Sequence, residues 1–292
     1  MKEIVVISGK GGTGKTSIAA SFACLGGKDV IIADCDVDAA DMHILMQPDY
    51  SKSEDFYSGE LAMINQDNCS QCGKCFDVCR FNAVSHIDDM YLIDPMECEG
   101  CGYCARVCPD NAIKNEIQNA GQWYISNIKT GSMMVHARLG IGADNSGKLV
   151  AKVKNEARNI AKGKNKDWIL IDGSPGIGCP VISSLSGADF AVLVTEPTVS
   201  GLHDLKRVYQ LVKKFKIRAG CIINKSDLNI PITERIKSFL KRENILHLAN
   251  LPYDETFTES MIYGQTIVEF SDNNLTGIVS DTWNKIKQTL CE

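Results

Sequence analysis

The apolar run Ile4–Ile7 ends at Ser8 and breaks into Gly9-Lys10-Gly11-Gly12-Thr13-Gly14-Lys15-Thr16, after which helical spacing runs from Lys15 to Leu25. A strand, then G-x-x-x-x-G-K-[ST], then a helix is the context that a phosphate-binding P-loop requires. Glycines leave the backbone N–H groups of the turn free to converge on phosphate oxygens, and the helix N-terminus adds favourable partial charge. In that geometry Lys15 meets the β and γ phosphates of a nucleotide and the Thr16 hydroxyl ligates Mg²⁺, with Gly9, Lys10, Gly11, Gly12, Thr13 and Gly14 forming the cradle.

The remainder of the chain agrees with the α/β architecture that such a loop implies. Short β-branched runs occur at Val30–Ala33, Trp168–Ile171, Phe190–Val194 and Ala219–Ile223, with a weaker one near Leu246–Leu251. Between them lie helix-like stretches at Lys148–Ala161, Leu202–Phe215, Ile232–Arg242 and Gly277–Leu290. Strands alternating with helices predict a mainly parallel sheet with helices on both faces, and strands buried on both sides read as continuous apolar runs. Asn145-Ser146-Gly147 opens one helix whose apolar face is Leu149, Val150, Val153, Ala157 and Ile160, and 122–134 reads as one or two further strands. Ile278, Val279, Trp283, Ile286 and Leu290 form a stripe on the last helix, which predicts packing on the sheet. Only Lys285 and Lys287 lie nearby, too few for the basic face of a membrane-surface helix.

Thirteen cysteines interrupt this pattern, eight of them between Cys69 and Cys108. The first residues form neither a signal nor a transit peptide, and no stretch approaches the ~20 apolar residues of a membrane span. A cytoplasmic location is therefore expected, where a reducing environment turns cysteine from disulfides toward metal or redox chemistry. The formal charge of −5, without a long basic run, leaves no footprint for tracking a nucleic acid.

Cys69, Cys72, Cys75 and Cys79 form C-x2-C-x2-C-x3-C, and Cys98, Cys101, Cys104 and Cys108 repeat it 29 residues later. The flanks repeat as well: Asn82-Ala83-Val84 answers Asn111-Ala112-Ile113. This is the bacterial two-cluster ferredoxin spacing, in which the fourth cysteine of each run ligates the other cluster. It assigns Cys69, Cys72, Cys75 and Cys108 to one [4Fe-4S] cluster and Cys98, Cys101, Cys104 and Cys79 to a second. Paired structural zinc sites are the alternative, although zinc has no use for the doubled x2, x2, x3 spacing. Pro109 follows Cys108 as the pattern asks, while Arg80 stands in place of proline after Cys79. The insertion is placed at 60–118, giving a discontinuous nucleotide-binding domain of 1–59 and 119–292. So small an insertion has little core, and its folding is expected to depend on ligation.

Lys10, a second lysine inside the loop, resembles the deviant P-loop of the MinD/Mrp and nitrogenase iron protein superfamily. The resemblance covers essentially the whole chain and implies a P-loop NTPase fold of α/β class, interrupted by a small α+β bacterial-ferredoxin-like insertion. It also implies Mg²⁺-dependent ATP hydrolysis and a nucleotide-bridged homodimer, or heterodimer with a related ATPase, in which Lys10 reaches the partner's nucleotide. Asp34-Cys35-Asp36-Val37-Asp38-Ala39-Ala40-Asp41 resembles switch I, with Asp36 at the position that orients or deprotonates the attacking water near Mg²⁺. Asp41 stands where MinD-like members commonly have asparagine. Asp172-Gly173-Ser174-Pro175-Gly176 resembles Walker B and switch II, at the strand end where open α/β sheets place ligand-binding groups. The family holds adenine with an asparagine and a P-x-D segment, which match Asn224 and Pro252-Tyr253-Asp254. Asn224-Lys225-Ser226-Asp227 also matches the guanine-reading N-K-x-D, so this motif alone leaves the base open.

Two functions remain in competition at this level. One is an ATP-hydrolysing redox protein that passes electrons through permanent clusters to a partner protein; the other is a cluster assembly or transfer factor of Mrp type, acting on an apo-protein. Neither nucleic acid nor membrane is expected as partner. Cys179, directly after switch II, is either a small buried packing residue or a group paired with its symmetry mate at a dimer axis. Cys24, Cys35, Cys221 and Cys291 are expected to pack.

Overall fold

The computed structural model describes residues 1–140, 142 and 145–291. The strands are β1 (Lys2–Ser8), β2 (Val30–Cys35), β3 (Lys52–Ile64), β4 (Val84–Ile87), β5 (Met90–Ile93), β6 (Ile113–Asn127), β7 (Met133–Leu139), β8 (Trp168–Gly173), β9 (Phe190–Thr195), β10 (Arg218–Ile223) and β11 (Leu246–Asn250). Nine of them form one sheet in the order β11-β10-β9-β1-β8-β2-β7-β6-β3, and β4 and β5 form a separate hairpin. Every pairing from β11 across to β7 is parallel.

The chain divides into two compact units: Met1–Glu54 with Trp123–Arg138 and Ser146–Glu292, and Asp55–Gln122 with Leu139–Asn145. In the larger unit, β1, β2, β8 and β9 are buried almost throughout, as strands covered on both faces must be. The helices Lys15–Gly26 and Asn274–Cys291 share one core with the sheet. Phe22 stacks on Trp283 at 5.3 Å between ring centroids, and Trp168 lies edge-on to Trp283 at 6.4 Å. The stripe on the last helix is thus spent on packing.

The helix Ser146–Gly163 buries Leu149, Val150, Val153 and Ala157 as its spacing indicates, but it also buries Lys154. That lysine donates to the carbonyls of Ser184 (2.6 Å) and Ser186 (2.7 Å), at the end of the helix Cys179–Leu185, and lies 3.6 Å from Glu3. Burial lowers its pKa, with Glu3 opposing. A buried ammonium is tolerable because carbonyls and a carboxylate satisfy it.

The smaller unit displays the sequence repeat as a structural one. Lys74–Val78 and Tyr103–Val107 are short helices, each entered through a left-handed glycine, Gly73 (φ 74°) and Gly102 (φ 70°). The repeated asparagines, Asn82 (φ 56°) and Asn111 (φ 50°), share a left-handed conformation that asparagine accepts better than most residues. Its buried core is Ala62, Cys75, Val84 and Ile113, against which Cys79, Cys98, Cys104 and Cys108 pack.

The polar stretch after Ser51 is a strand, β3. The expected packing of the isolated cysteines needs correction. Cys179 is exposed, at the first position of its helix, and so is Cys291; packing accounts for Cys35 and Cys221, which are buried.

Candidate functional site

The loop Gly9–Gly14 leaves β1 at the carboxyl end of the sheet. A Cβ on Gly9 would stand 2.5 Å from the backbone of Asp204, so only glycine fits. Gly14, in the left-handed region at φ 87°, starts the helix, and a Cβ there would meet Asn224 Nδ2 at 2.5 Å. The backbone is thus threaded between neighbours that exclude side chains, while Gly11 and Gly12 face open space.

Lys15 is buried at the foot of this loop. Its Nζ donates to Asp172 Oδ1 at 2.7 Å, lies 3.1 Å from Asp36 Oδ2, and is 3.2 Å from Thr16 Oγ1. Burial alone lowers a lysine pKa, but the charges of Asp172, Asp36 and Asp34 and the bond to Asp172 raise it, so the ammonium stays charged. Asp36 and Asp172 therefore come together around Lys15, although they lie far apart in the chain.

Asp34 belongs to the same group, and sequence inspection gave it no role. It lies on β2, two residues before Asp36, opposite Asp172 in the β2–β8 register. Its Oδ1 accepts the Asp36 N–H at 3.2 Å. Burial first, then the charge of Asp172, pushes its carboxyl well above the usual range; Asp36 is raised as well, chiefly by burial. The period-two spacing Asp34-x-Asp36 was the available signal, because residues i and i+2 share a strand face. Asp34 Oδ2 and Asp172 Oδ2 are buried without a hydrogen-bond partner among the described residues. Three carboxylates thus face one ammonium, and two of their oxygens keep unused acceptor capacity.

The segment after β8 is tied to both neighbouring strands. Gly176 donates its N–H to the Ser8 carbonyl at 2.9 Å, and Ser174 Oγ donates to the Cys35 carbonyl at 2.7 Å. Lys10 turns onto its own chain, 2.6 Å from Glu196 and within 3.2 Å of Thr198 Oγ1 and Ser200 Oγ. Asp41 is exposed at the start of the short helix Met42–Met46 and caps nothing there.

Beside the loop, Gly12, Gly14, Asn224, Pro252, Asp254 and Phe257 line one cavity, together with Ser17 and Tyr253. Asn224 Nδ2 donates to the Thr13 carbonyl at 2.9 Å, and Asp227 Oδ1 accepts the Tyr253 N–H at 2.6 Å. Asp254 accepts from the Thr256 N–H at 2.8 Å.

In the smaller unit, one cavity is lined by Cys69, Cys72, Cys75 and Cys108, with Tyr91 and Asp110. A second is lined by Cys98, Cys101, Cys104 and Cys79, with Phe81 and Tyr103. Each joins three cysteines of one run to the fourth of the other. Among the described residues, no three His, Cys, Asp or Glu side chains converge on the position of a single metal ion.

A buried lysine in a glycine loop, facing carboxylates at the ends of neighbouring parallel strands, defines a P-loop nucleotide-binding protein. Residues 4–267 match the CobQ/CobB/MinD/ParA nucleotide binding domain, and the chain belongs to that family. It is 37% identical over 229 residues, 78% of this chain and 79% of the other, to an uncharacterized protein of Methanocaldococcus jannaschii. A second uncharacterized protein of that organism is 26% identical over 93% of each chain. Among solved structures, it is similar to the septum site-determining protein MinD of Pyrococcus horikoshii in complex with Mg-ADP. The TM-score is 0.60 at 20% identity, covering 99% of this chain and 96% of that one. It also resembles a ParA family ATPase of Chlorobium tepidum, with a TM-score of 0.55 at 18% identity over 97% and 98% of the two chains. No helix among the described residues is long and apolar enough to cross a membrane.

Proposed function

We propose that this protein binds and hydrolyses Mg·ATP, closing against a second copy or a related ATPase, and couples that cycle to electron transfer through two [4Fe-4S] clusters to a partner protein. The observation that carries the iron–sulfur part is the pair of cysteine cavities, each completed by the fourth cysteine of the opposite run. Cys69, Cys72, Cys75 and Cys108 would hold one cluster, and Cys98, Cys101, Cys104 and Cys79 the other. When bound, such clusters supply one-electron transfer at potentials that span about −700 to +450 mV across proteins. The backbone N–H of Ala112, 3.3 Å from Cys108 Sγ, would stabilise the thiolate there.

At the nucleotide, Lys15 neutralises the β and γ phosphates, Thr16 and Asp36 hold Mg²⁺, and Asp36 orients the attacking water. Asp172 and Asp34 bring further negative charge to the cation. Lys10 leaves Glu196 to meet the nucleotide of the opposing subunit. Asn224, Pro252 and Asp254 border the base, and adenine is favoured by the resemblance to MinD-like ATPases. The Mg-ADP complex of the Pyrococcus horikoshii protein supports the nucleotide and metal, and the MinC:MinD complex of Aquifex aeolicus supports a protein partner.

Cluster transfer to an apo-protein is the second function, favoured by the exposure of Cys72 and Cys101, one thiol in each set. Anaerobic purification with iron analysis, followed by EPR of the reduced protein with and without Mg·ATP, tests the proposal. Two cubane signals that change with nucleotide are expected. Protein without iron, or spectra identical in all nucleotide states, would sink the redox function, and release of iron to an apo-ferredoxin would favour the second.

A further inference from the structure

The hairpin β4–β5 has two chemically different faces. Its register pairs Ser85 with Leu92 and Ile87 with Met90, so these four side chains leave the same face. The opposite face carries Val84, Tyr91 and Ile93, which pack on the cysteine core. The outward face is apolar yet wet: Ile87 is 53%, Met90 41% and Leu92 39% exposed. An antiparallel sheet with one face in water ordinarily alternates apolar-in with polar-out, and here the outward positions break that rule.

The turn adds charge. Asp88 (φ 50°) and Asp89 (φ 58°) both adopt left-handed backbone, as a two-residue hairpin turn with positive φ at both centres demands. Aspartate is among the residues that accept this backbone, and two in succession also set two carboxylates at the tip of the hairpin. Residues 55–122 hold eleven acidic and four basic side chains, net −7 of a chain total of −5, which leaves +2 elsewhere. A segment of that net charge, with Asp88 and Asp89 at the hairpin turn, disfavours nucleic acid phosphates, anionic lipid and a second copy of itself, and favours a cationic protein.

We propose that the outer face of this hairpin docks a partner protein whose apolar centre covers Ile87, Met90 and Leu92 and whose rim sets lysines or arginines against Asp88 and Asp89. An apolar centre within a polar rim is the usual anatomy of a protein interface. The docking surface stands on register and charge alone. Its consequence, that the partner lies one strand away from the Cys69–Cys108 cavity that Tyr91 lines, rests on the function proposed above.

Full-length protein, prepared anaerobically and assayed for iron, is titrated with a fluorescent peptide of alternating leucine and lysine, and with one of alternating leucine and glutamate as control. The lysine peptide is expected to bind, more weakly in high salt. A triple Ile87→Ser, Met90→Ser, Leu92→Ser variant is expected to lose about tenfold in affinity, and a double Asp88→Asn, Asp89→Asn variant to flatten the salt dependence. Both variants should keep the iron content and melting temperature of the parent, since they alter exposed positions. Equal binding of the two peptides, or binding unchanged in both variants, overturns the docking surface. So does anionic-vesicle binding or self-association in light scattering that the triple variant abolishes. Intact peptide binding by iron-free protein would leave this surface standing while the cluster proposal falls.

Discussion

Asp34→Asn tests whether the carboxylates around Lys15 are built for a cation that the folded chain does not itself supply. Asp34 is buried, its Oδ1 accepts one N–H, and its Oδ2 has no partner among the described residues. Leaving a buried charged oxygen unsatisfied costs about 1–3 kcal/mol, and an amide of the same shape keeps the Oδ1 bond while removing the charge. The nucleotide-free variant should therefore be more stable than the parent at pH 7 by about 1–3 kcal/mol, seen as a rise of roughly 2–10 °C in melting temperature by calorimetry. The pH dependence has a definite sign. A carboxyl whose folded pKa is raised above its unfolded value of 3.8 binds more protons when folded, so its penalty is absent below pH 3.8 and grows as pH rises through the raised value. The advantage of the variant should shrink on acidification toward pH 4. With Mg·ATP at about 100 times its Kd, the parent gains about 2.7 kcal/mol, and the variant less. A nucleotide-free variant that melts below the parent at pH 7, or a difference that does not shrink with acid, would refute the argument.

Trp283→Ala removes the ring that stacks on Phe22, and about 3–5 kcal/mol of stability should go with it, measured by chemical denaturation. His136 is buried against Ser126 and stacked on Tyr124, and burial, helped by His43, lowers its pKa to about 4. Because its folded value lies below the ordinary 6.5, stability should fall by about 3 kcal/mol as pH drops from about 6.5 to 4, with a flatter profile in His136→Gln. Lys10→Ala alters a partly exposed side chain and should leave the melting temperature within about 1 °C while ATP turnover falls. Cys108→Ser and Cys69→Ser should each lose about half of the bound iron and abolish the same EPR signal, because the fourth ligand of each set comes from the other run.

The geometry of the candidate nucleotide site was legible because its signals are local. Six apolar runs mark strands that the sheet buries, and the glycines of the loop sit where neighbours exclude a Cβ. The cysteine spacing likewise identified which side chains line each cavity. Asp34 was harder to see because the spacing Asp34-x-Asp36 does not point to its neighbour across the sheet, Asp172, which lies far away in the chain. Lys154 was hidden for the opposite reason: its position, four after Val150 and three before Ala157, lies on the apolar face, but a lysine is ordinarily assigned to solvent, and the carbonyls of Ser184 and Ser186 satisfy its buried ammonium.

β3 shows where periodicity fails altogether. Its thirteen residues are mostly exposed, Ala62 alone being buried, and it is the last strand in the sheet order. A strand wet on both faces has no alternation to detect, and an edge is kept from pairing with other chains by the charges that make it look like a loop, here Lys52, Glu54 and Asp55. Asp36 and Asp41 are followed by the helix Met42–Met46, by Asp49, whose carboxylate binds the Asn127 backbone and amide, and then by β3, which runs to within a few residues of Cys69. On the return, β6 begins five residues after Cys108 and ends at Asn127. The chain thus enters and leaves the cysteine segment as strand, and a strand that shifts must carry its whole register with it. Replacing Asn127 with alanine, which removes its amide bond to Asp49, should consequently weaken any nucleotide dependence of the cluster spectra without changing iron content, and spectra that still respond in full to Mg·ATP would show that this path carries no signal.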